Sequence, residues 1–210
     1  MTMPGSETYA ARLEIDYPDK LERLSSAFRI FWMIPIAIII GALSGGAGGS
    51  TGQTFTASAG GVTGGLFIAT LLMIVFRQVY PRWWFDFARE YTRFSGRVTA
   101  YMALLTDRYP STEDEQAVHL EIDYPAVQQL NRWLPLVKWF LAIPHYIVLF
   151  FLGIAAIVVI IIAWFAILFT GQYPRGMFNF VVGVGRWGLR VQAYAFLLLT
   201  DKYPPFSLDP

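Results

Sequence analysis

Apolar and polar positions alternate at two scales along the 210-residue chain. At short range, Leu13 to Pro18 reads LEIDYP, with Leu13 and Ile15 interleaved with Glu14 and Asp16. That is the period of a half-buried strand, and Pro18 restrains Tyr17 to extended geometry. The same six residues return from Leu120 to Pro125, so two extended segments are expected to pair with each other. At long range, uncharged stretches alternate with charged ones. Asp19 to Arg29 is a charged lead-in, Ile30 to Leu43 is apolar, Ser44 to Gly65 holds nine glycines and no charge, and Leu66 to Phe76 is apolar again. Glycine at that density reads as a flexible connection between two helical arms.

A second round of the same pattern follows. Arg29 to Pro35, RIFWMIP, aligns with Lys138 to Pro144, KWFLAIP. From Trp139 to Phe169 there are 31 residues without Asp, Glu, Lys or Arg. As one helix this run would measure about 46 Å, against about 30 Å of hydrocarbon. Parity with the first round predicts two short arms turning near Gly153. Pro35 and Pro144 lie inside the first arm of each round, where a missing N–H and a ring clash predict a kink.

Each hairpin is followed by a cassette that also occurs twice. Tyr80 to Pro110 opens YPR and closes TDRYP; Tyr173 to Pro204 opens YPR and closes TDKYP. Phe85, Phe87, Arg93, Arg97 and Tyr101 match Phe178, Phe180, Arg186, Arg190 and Tyr194, and after a one-residue shift Asp107 matches Asp201. Two copies with polar anchors in the same order predict a tandem duplication. The expected organisation is a loose segment 1–12, a membrane repeat 13–110, a polar linker 111–119, a second repeat 120–206 and a tail 207–210. The expected fold class is mainly α and integral to a membrane: a Pro-kinked apolar hairpin plus an amphipathic, Arg-bearing interfacial helix, duplicated, with short extended LEIDYP segments.

Composition sharpens this. The chain is 55% hydrophobic, only 15% charged, and has a mean hydropathy of +0.46, whereas a soluble domain carries about a quarter charged residues. A net charge of +1 argues against nucleic acid as a partner. With no cysteine, disulfides and thiolate metal sites are excluded, and the polar N-terminus has no basic-then-apolar signal-peptide pattern. Every charge lies outside Ile30–Phe76 and Trp139–Pro174. The positive-inside rule then places the charged segments and both termini on the cytoplasmic side of a multi-pass inner-membrane protein. Trp32, Trp83, Trp84, Trp133, Trp139, Trp164 and Trp187 cluster at apolar borders, where indole rings commonly form interfacial belts.

The candidate chemistry lies in the cassettes. Arg93 and Arg97, and Arg186 and Arg190, are four apart and share a helix face. Burying such arginines at a bilayer centre costs about 2.5–3.5 kcal/mol each, so an in-plane helix is expected for the first cassette. Met177 to Leu199 is apolar enough for either placement. Three uses of the stripe stand open: ion pairing of Arg97 and Arg190 with Asp86, Glu90, Asp107 or Asp201, contact with anionic headgroups, and binding of a separate anionic substrate. His119 and His145 are not repeated, and two scattered histidines do not make a metal site. Gly183, Gly185 and Gly188 fit GxGxxG literally but follow no nucleotide-binding strand, so they read as packing positions.

With LEIDYP, the IP-containing arm, FTGQYPRGMFNF and LTDKYPPF on the page, the chain resembles, from Leu13 to Phe206, a bacterial membrane-protein family known as domain-of-unknown-function family 4389. The resemblance implies membrane location and carries over no activity. The first copy departs from the second in its Gly-rich tip and in Arg77 where the second has Thr170. The functional expectation is a non-enzymatic membrane module that organises anionic lipid or a partner protein at the cytoplasmic face, with no cofactor, and with membrane lipids and a protein partner or a second copy of the chain as its partners. A transporter or channel subunit is the first alternative. A lipid-modifying enzyme, requiring Asp16, Asp107, Asp123 and Asp201 to converge, is the second.

Overall fold

The structure, a computed structural model, describes residues 9–43, 61–111, 116–125 and 130–209. The N-terminal residues 1–8, most of the Gly-rich connection (44–60) and the linker residues 112–115 lie outside them.

The two LEIDYP segments do pair. Strand β1 (Ala11–Ile15) runs antiparallel to β2 (Val118–Ile122), with Leu13 opposite Leu120. The register is its own inverse, because Ala11 faces Ile122 while Ile15 faces Val118. The ladder also continues in matching fashion, with Asp16 N–H donating to Ala117 O at 2.9 Å and Asp123 N–H to Ala10 O at 2.9 Å. Both strands sit about two residues earlier than the alternation alone predicts. Val118, Leu120 and Ile122 are buried and His119 and Glu121 exposed, as expected of a ribbon with one covered face.

The helices are α1 (Arg23–Leu43), α2 (Gly61–Leu72) running into a π-helical turn (Met73–Arg77), α3 (Arg82–Met102), α4 (Pro135–Leu141), α5 (Ile143–Thr170) and α6 (Arg175–Ala195). The chain leaves the π-turn through Gln78 at φ 48° and leaves α5 through Gly171 at φ 75°. These left-handed residues end the two apolar stretches at matching places before YPR. Leu104 (φ 64°) and Leu198 (φ 57°) match in the same way after α3 and α6.

Helix α6 is central. Its residues Phe178, Val181, Val182, Trp187, Leu189, Val191 and Tyr194 are buried. It packs against α5 on one side and β1 on the other, while α3 covers β2. One core joins Ala11, Leu120 and Ile122 to Phe85, Ala88, Leu189 and Ala193. A second joins Ile15 and Val118 to Ala163, Ile167, Phe178 and Val182.

Two sequence expectations are corrected here. The run after Pro144 is not a hairpin: α5 is continuous over 28 residues and passes straight through Gly153. A lone mid-helix glycine costs about 1 kcal/mol relative to alanine. A turn in apolar surroundings would instead leave several backbone groups unpaired, at several kcal/mol each. Pro144 also does not kink a helix interior. It occupies the first turn of α5, where a residue's N–H has no intrahelical partner and proline's lack of one costs nothing, and Ala142 separates α4 from α5. Pro35 does lie inside α1.

Among the described residues, α5 is the one helix long and apolar enough to cross a membrane. Only 11% of its most apolar window is buried, which is not how a soluble protein treats a core helix. Ile147, Phe150, Phe151, Ile157 and Phe165 are all at least half exposed.

Candidate functional site

The YPR–TD cassettes meet the lead-in segments through buried charge. Asp107 receives the guanidinium of Arg29, which also donates to Tyr101 O at 2.9 Å and Thr106 O at 3.0 Å. Asp201 receives Lys138 Nζ at 2.7 Å, and the same ammonium donates to Thr200 O at 2.8 Å. The second carboxylate oxygen of each aspartate accepts a backbone N–H just ahead of the helix that carries its cation: Glu22 N–H at 2.7 Å for Asp107, and Asn131 N–H at 2.6 Å for Asp201. Lys138 is fully buried and Arg29 2% exposed. Burial pushes the Lys138 ammonium down from its ordinary value, and the hydrogen bond and charge of Asp201 oppose that shift.

The stripe arginines do not pair with these aspartates. Arg93 Nε donates to Leu120 O at 3.0 Å, and Arg186 Nε to Leu13 O at 2.8 Å. Each therefore holds the centre of the strand that comes from the other LEIDYP copy. Arg97 Nη1 donates to Ser111 O at 2.6 Å; Arg190 donates to Ser207 O at 3.4 Å and Asp209 O at 2.6 Å. The pairing of Arg97 and Arg190 with acids is corrected accordingly. Their guanidinium groups fasten the chain that follows TDRYP and TDKYP, while the aspartates are taken by Arg29 and Lys138. Arg93 also reaches Glu90 at 2.9 Å. Arg186 has Gly183 at the corresponding place and meets no carboxylate among the described residues.

The crossed contacts extend to the tyrosines. Tyr17 O–H donates to Tyr173 O, and Tyr124 O–H to Tyr80 O. Arg175 lies over the Tyr17 ring at 4.7 Å, and Arg82 over the Tyr124 ring at 5.0 Å. Tyr80 and Tyr173 are both buried.

A cleft of about 680 Å³ opens between β1, α6 and the C-terminal tail. Arg12, Arg186, Arg190 and Lys202 line it, with Glu14, Glu121 and His119. Burial, and after it the neighbouring Arg186, push the Arg190 guanidinium down from its ordinary value. Of the four aspartates an enzyme reading needs together, Asp16 sits 3.1 Å from His119, Asp123 sits 3.2 Å from Arg12, and Asp107 and Asp201 lie in their separate buried pairs. No group of three or more metal-ligating side chains occurs among the described residues.

His145 is buried where α5 begins. Its Nδ1 accepts the Trp187 indole N–H at 3.0 Å, and its ring stacks on Phe206 at 4.0 Å. It is a packing residue, and Trp187 belongs to the same interior rather than to an interfacial belt. Trp32, Trp83 and Trp133 are exposed. The glycines divide similarly. A Cβ on Gly183 would stand 2.9 Å from Leu208, one on Gly185 would stand 3.3 Å from Leu13, and one on Gly188 would meet nothing within 4 Å.

The residues that sequence reasoning passed over are Arg29 and Lys138. Both stand at the head of the aligned RIFWMIP and KWFLAIP segments, and an aligned cation beside an aligned acid is the signal that identifies them.

Residues 133–207 match a family described as "Domain of unknown function (DUF4389)". The match takes in α4, α5, α6 and the TDKYP turn, so it is narrower than the stretch from Leu13 to Phe206 that the resemblance covers. No curated protein and no solved structure matches the chain.

Proposed function

We propose that this protein is a non-enzymatic membrane module built by tandem duplication, which organises anionic lipid at the cytoplasmic face of the bacterial inner membrane. The carrying observation is the unburied apolar surface of α5. An apolar patch of that extent calls for lipid or a partner surface, and the charge-free windows of the sequence run through the same elements. Duplication is supported by the recurrence, at matched positions, of the Arg29–Asp107 and Lys138–Asp201 pairs and of the crossed Arg93–Leu120 and Arg186–Leu13 contacts.

In this reading the stripe arginines hold the two halves together, and headgroup contact falls to exposed arginines beside the ends of α5. Arg132 lies on the carbonyls of Val75 and Phe76 ahead of α4, and Arg175 opens α6. Arg23 approaches Gly171, which caps α5. Each such arginine near an anionic surface contributes about 1 kcal/mol, or about fivefold in binding. Arg132 stands at one end of α5, and Arg23 and Arg175 stand at the other.

The test is tryptophan quenching of the reconstituted chain by brominated lipids. Brominated phosphatidylglycerol should quench more strongly than brominated phosphatidylcholine at low salt, and the difference should fade as salt screens it. Replacing Arg132 and Arg175 by Gln should remove most of the preference. Equal quenching by both lipids at low salt sinks the proposal.

A further inference from the structure

The apolar length of α5 invites a membrane-crossing assignment, but what is packed alongside it argues otherwise. Helix α6 runs antiparallel to α5 over most of its length, from Phe178 and Val182, clustered with Ile167 and Ala163, to Trp187, bonded to His145. On its other side α6 carries β1 from Phe178 to Arg190. Tyr17 meets Phe178 edge-on at 5.1 Å, Leu13 O meets Arg186, and the Tyr9 hydroxyl donates to Arg190 O at 3.3 Å. From Phe178 to Arg190 is about 18 Å along a helix, and β1 with its flanks spans about 26 Å. The ribbon therefore lies beside the middle of α5, one helix away. Its outward side chains include Arg12, Asp16, Glu121 and Asp123, which are 40–66% exposed.

If α5 stood across a bilayer, this charged ribbon would stand at mid-depth, screened from lipid on one side only. Intramembrane charges occur where the bundle interior or a water-filled cavity receives them; Arg12 and Glu121 line the cleft beside α6, whereas Asp16 and Asp123 lie outside it. Both ends of α5 are also tied into the polar parts of the chain. The Tyr203 hydroxyl donates to Leu141 O at 3.0 Å just before its start, and Leu21 N–H donates to Gly171 O at 2.9 Å just after its end.

We infer that α5 lies along a single lipid leaflet, parallel to the membrane plane, with its exposed apolar face in the acyl region and the β1–β2 ribbon on the aqueous side. The module is then a slab with one lipid face and one water face, in which α6 is the buried layer. This seating rests on the membrane reading above and specifies its geometry, because a face of this kind fits one leaflet of a bilayer.

The chain contains no cysteine, so single spin labels can be placed without background. Ile147→Cys, Ile154→Cys and Ile161→Cys lie seven apart on the exposed face of α5, with Phe165→Cys as a fourth site. In reconstituted vesicles, oxygen against nickel-chelate accessibility reads the depth of each label. In-plane seating predicts depths within about 4 Å of one another. A crossing helix, rising about 1.5 Å per residue, predicts a label near the centre about 10 Å deeper than the one at position 147, and that profile overturns the inference while leaving membrane insertion standing. Four labels all in water overturn the membrane reading and this seating together. Oriented circular dichroism of the unlabelled chain in aligned bilayers gives an independent answer: an in-plane helix signal supports the seating, and a signal along the membrane normal overturns it.

Discussion

Lys138 and Arg29 show how a small number of residues hold this chain in shape. Each is buried, and each faces an aspartate that also accepts a backbone N–H just ahead of the helix on which the cation sits. Removing one member of a buried pair leaves the other charge uncompensated, at a cost of about 3–5 kcal/mol. Asp201→Asn should therefore destabilise the folded protein by several kcal/mol in thermal or chemical unfolding, whereas Asp86→Asn, at an exposed pair on α3, should change stability by less than about 1 kcal/mol. The aspartates were legible in the sequence as the matched ends of TDRYP and TDKYP. Their partners were not singled out, because spacing along one helix suggests neighbours four residues apart, while these contacts join residues more than sixty positions apart. Only tertiary packing decides that Arg97 and Arg190 reach carbonyl oxygens while the lead-in cations take the acids.

At the level of elements, the two recurring stretches of sequence differ most where they are apolar. Hydrophobic pattern identifies both stretches, but an uninterrupted apolar run carries no mark of whether it folds back, so α5 was legible as apolar and not as continuous. The strand pair was legible because LEIDYP carries its own alternation and occurs twice. Close approach was only partly legible: GVGRWG announces packing without saying against what. The structure separates its glycines, since Leu208 crowds Gly183 and nothing crowds Gly188. Gly183→Ala should cost about 1–3 kcal/mol through overpacking and release the C-terminal tail to proteolysis. Gly188→Ala should leave the tail protected and raise helix stability by up to about 1 kcal/mol. Unfolding curves and limited proteolysis of the two variants, compared side by side, check both statements.

Across the whole molecule, buried tyrosines link alkaline pH to folding. Burial pushes Tyr80 up to about 12, and the same cause raises Tyr173 and Tyr9. A phenol whose value is raised by folding stabilises the folded state fully below its ordinary value near 10, and that stability is lost as pH climbs through the raised one. Two units amount to about 3 kcal/mol for Tyr80 alone. The part of the tyrosinate absorbance that belongs to these buried phenols should therefore appear only above about pH 11, together with loss of helical dichroism. A smooth titration near pH 10 with helix intact would contradict this burial. The β1–β2 ribbon carries a different consequence. Two strands that meet through a self-inverse register are chemically equipped to join separate molecules, and such a contact would loosen on dilution. Carrying both on one polypeptide converts association into ring closure, with an effective local concentration of about the millimolar range set by the intervening chain. The clasp is thus insulated from how much protein a cell makes.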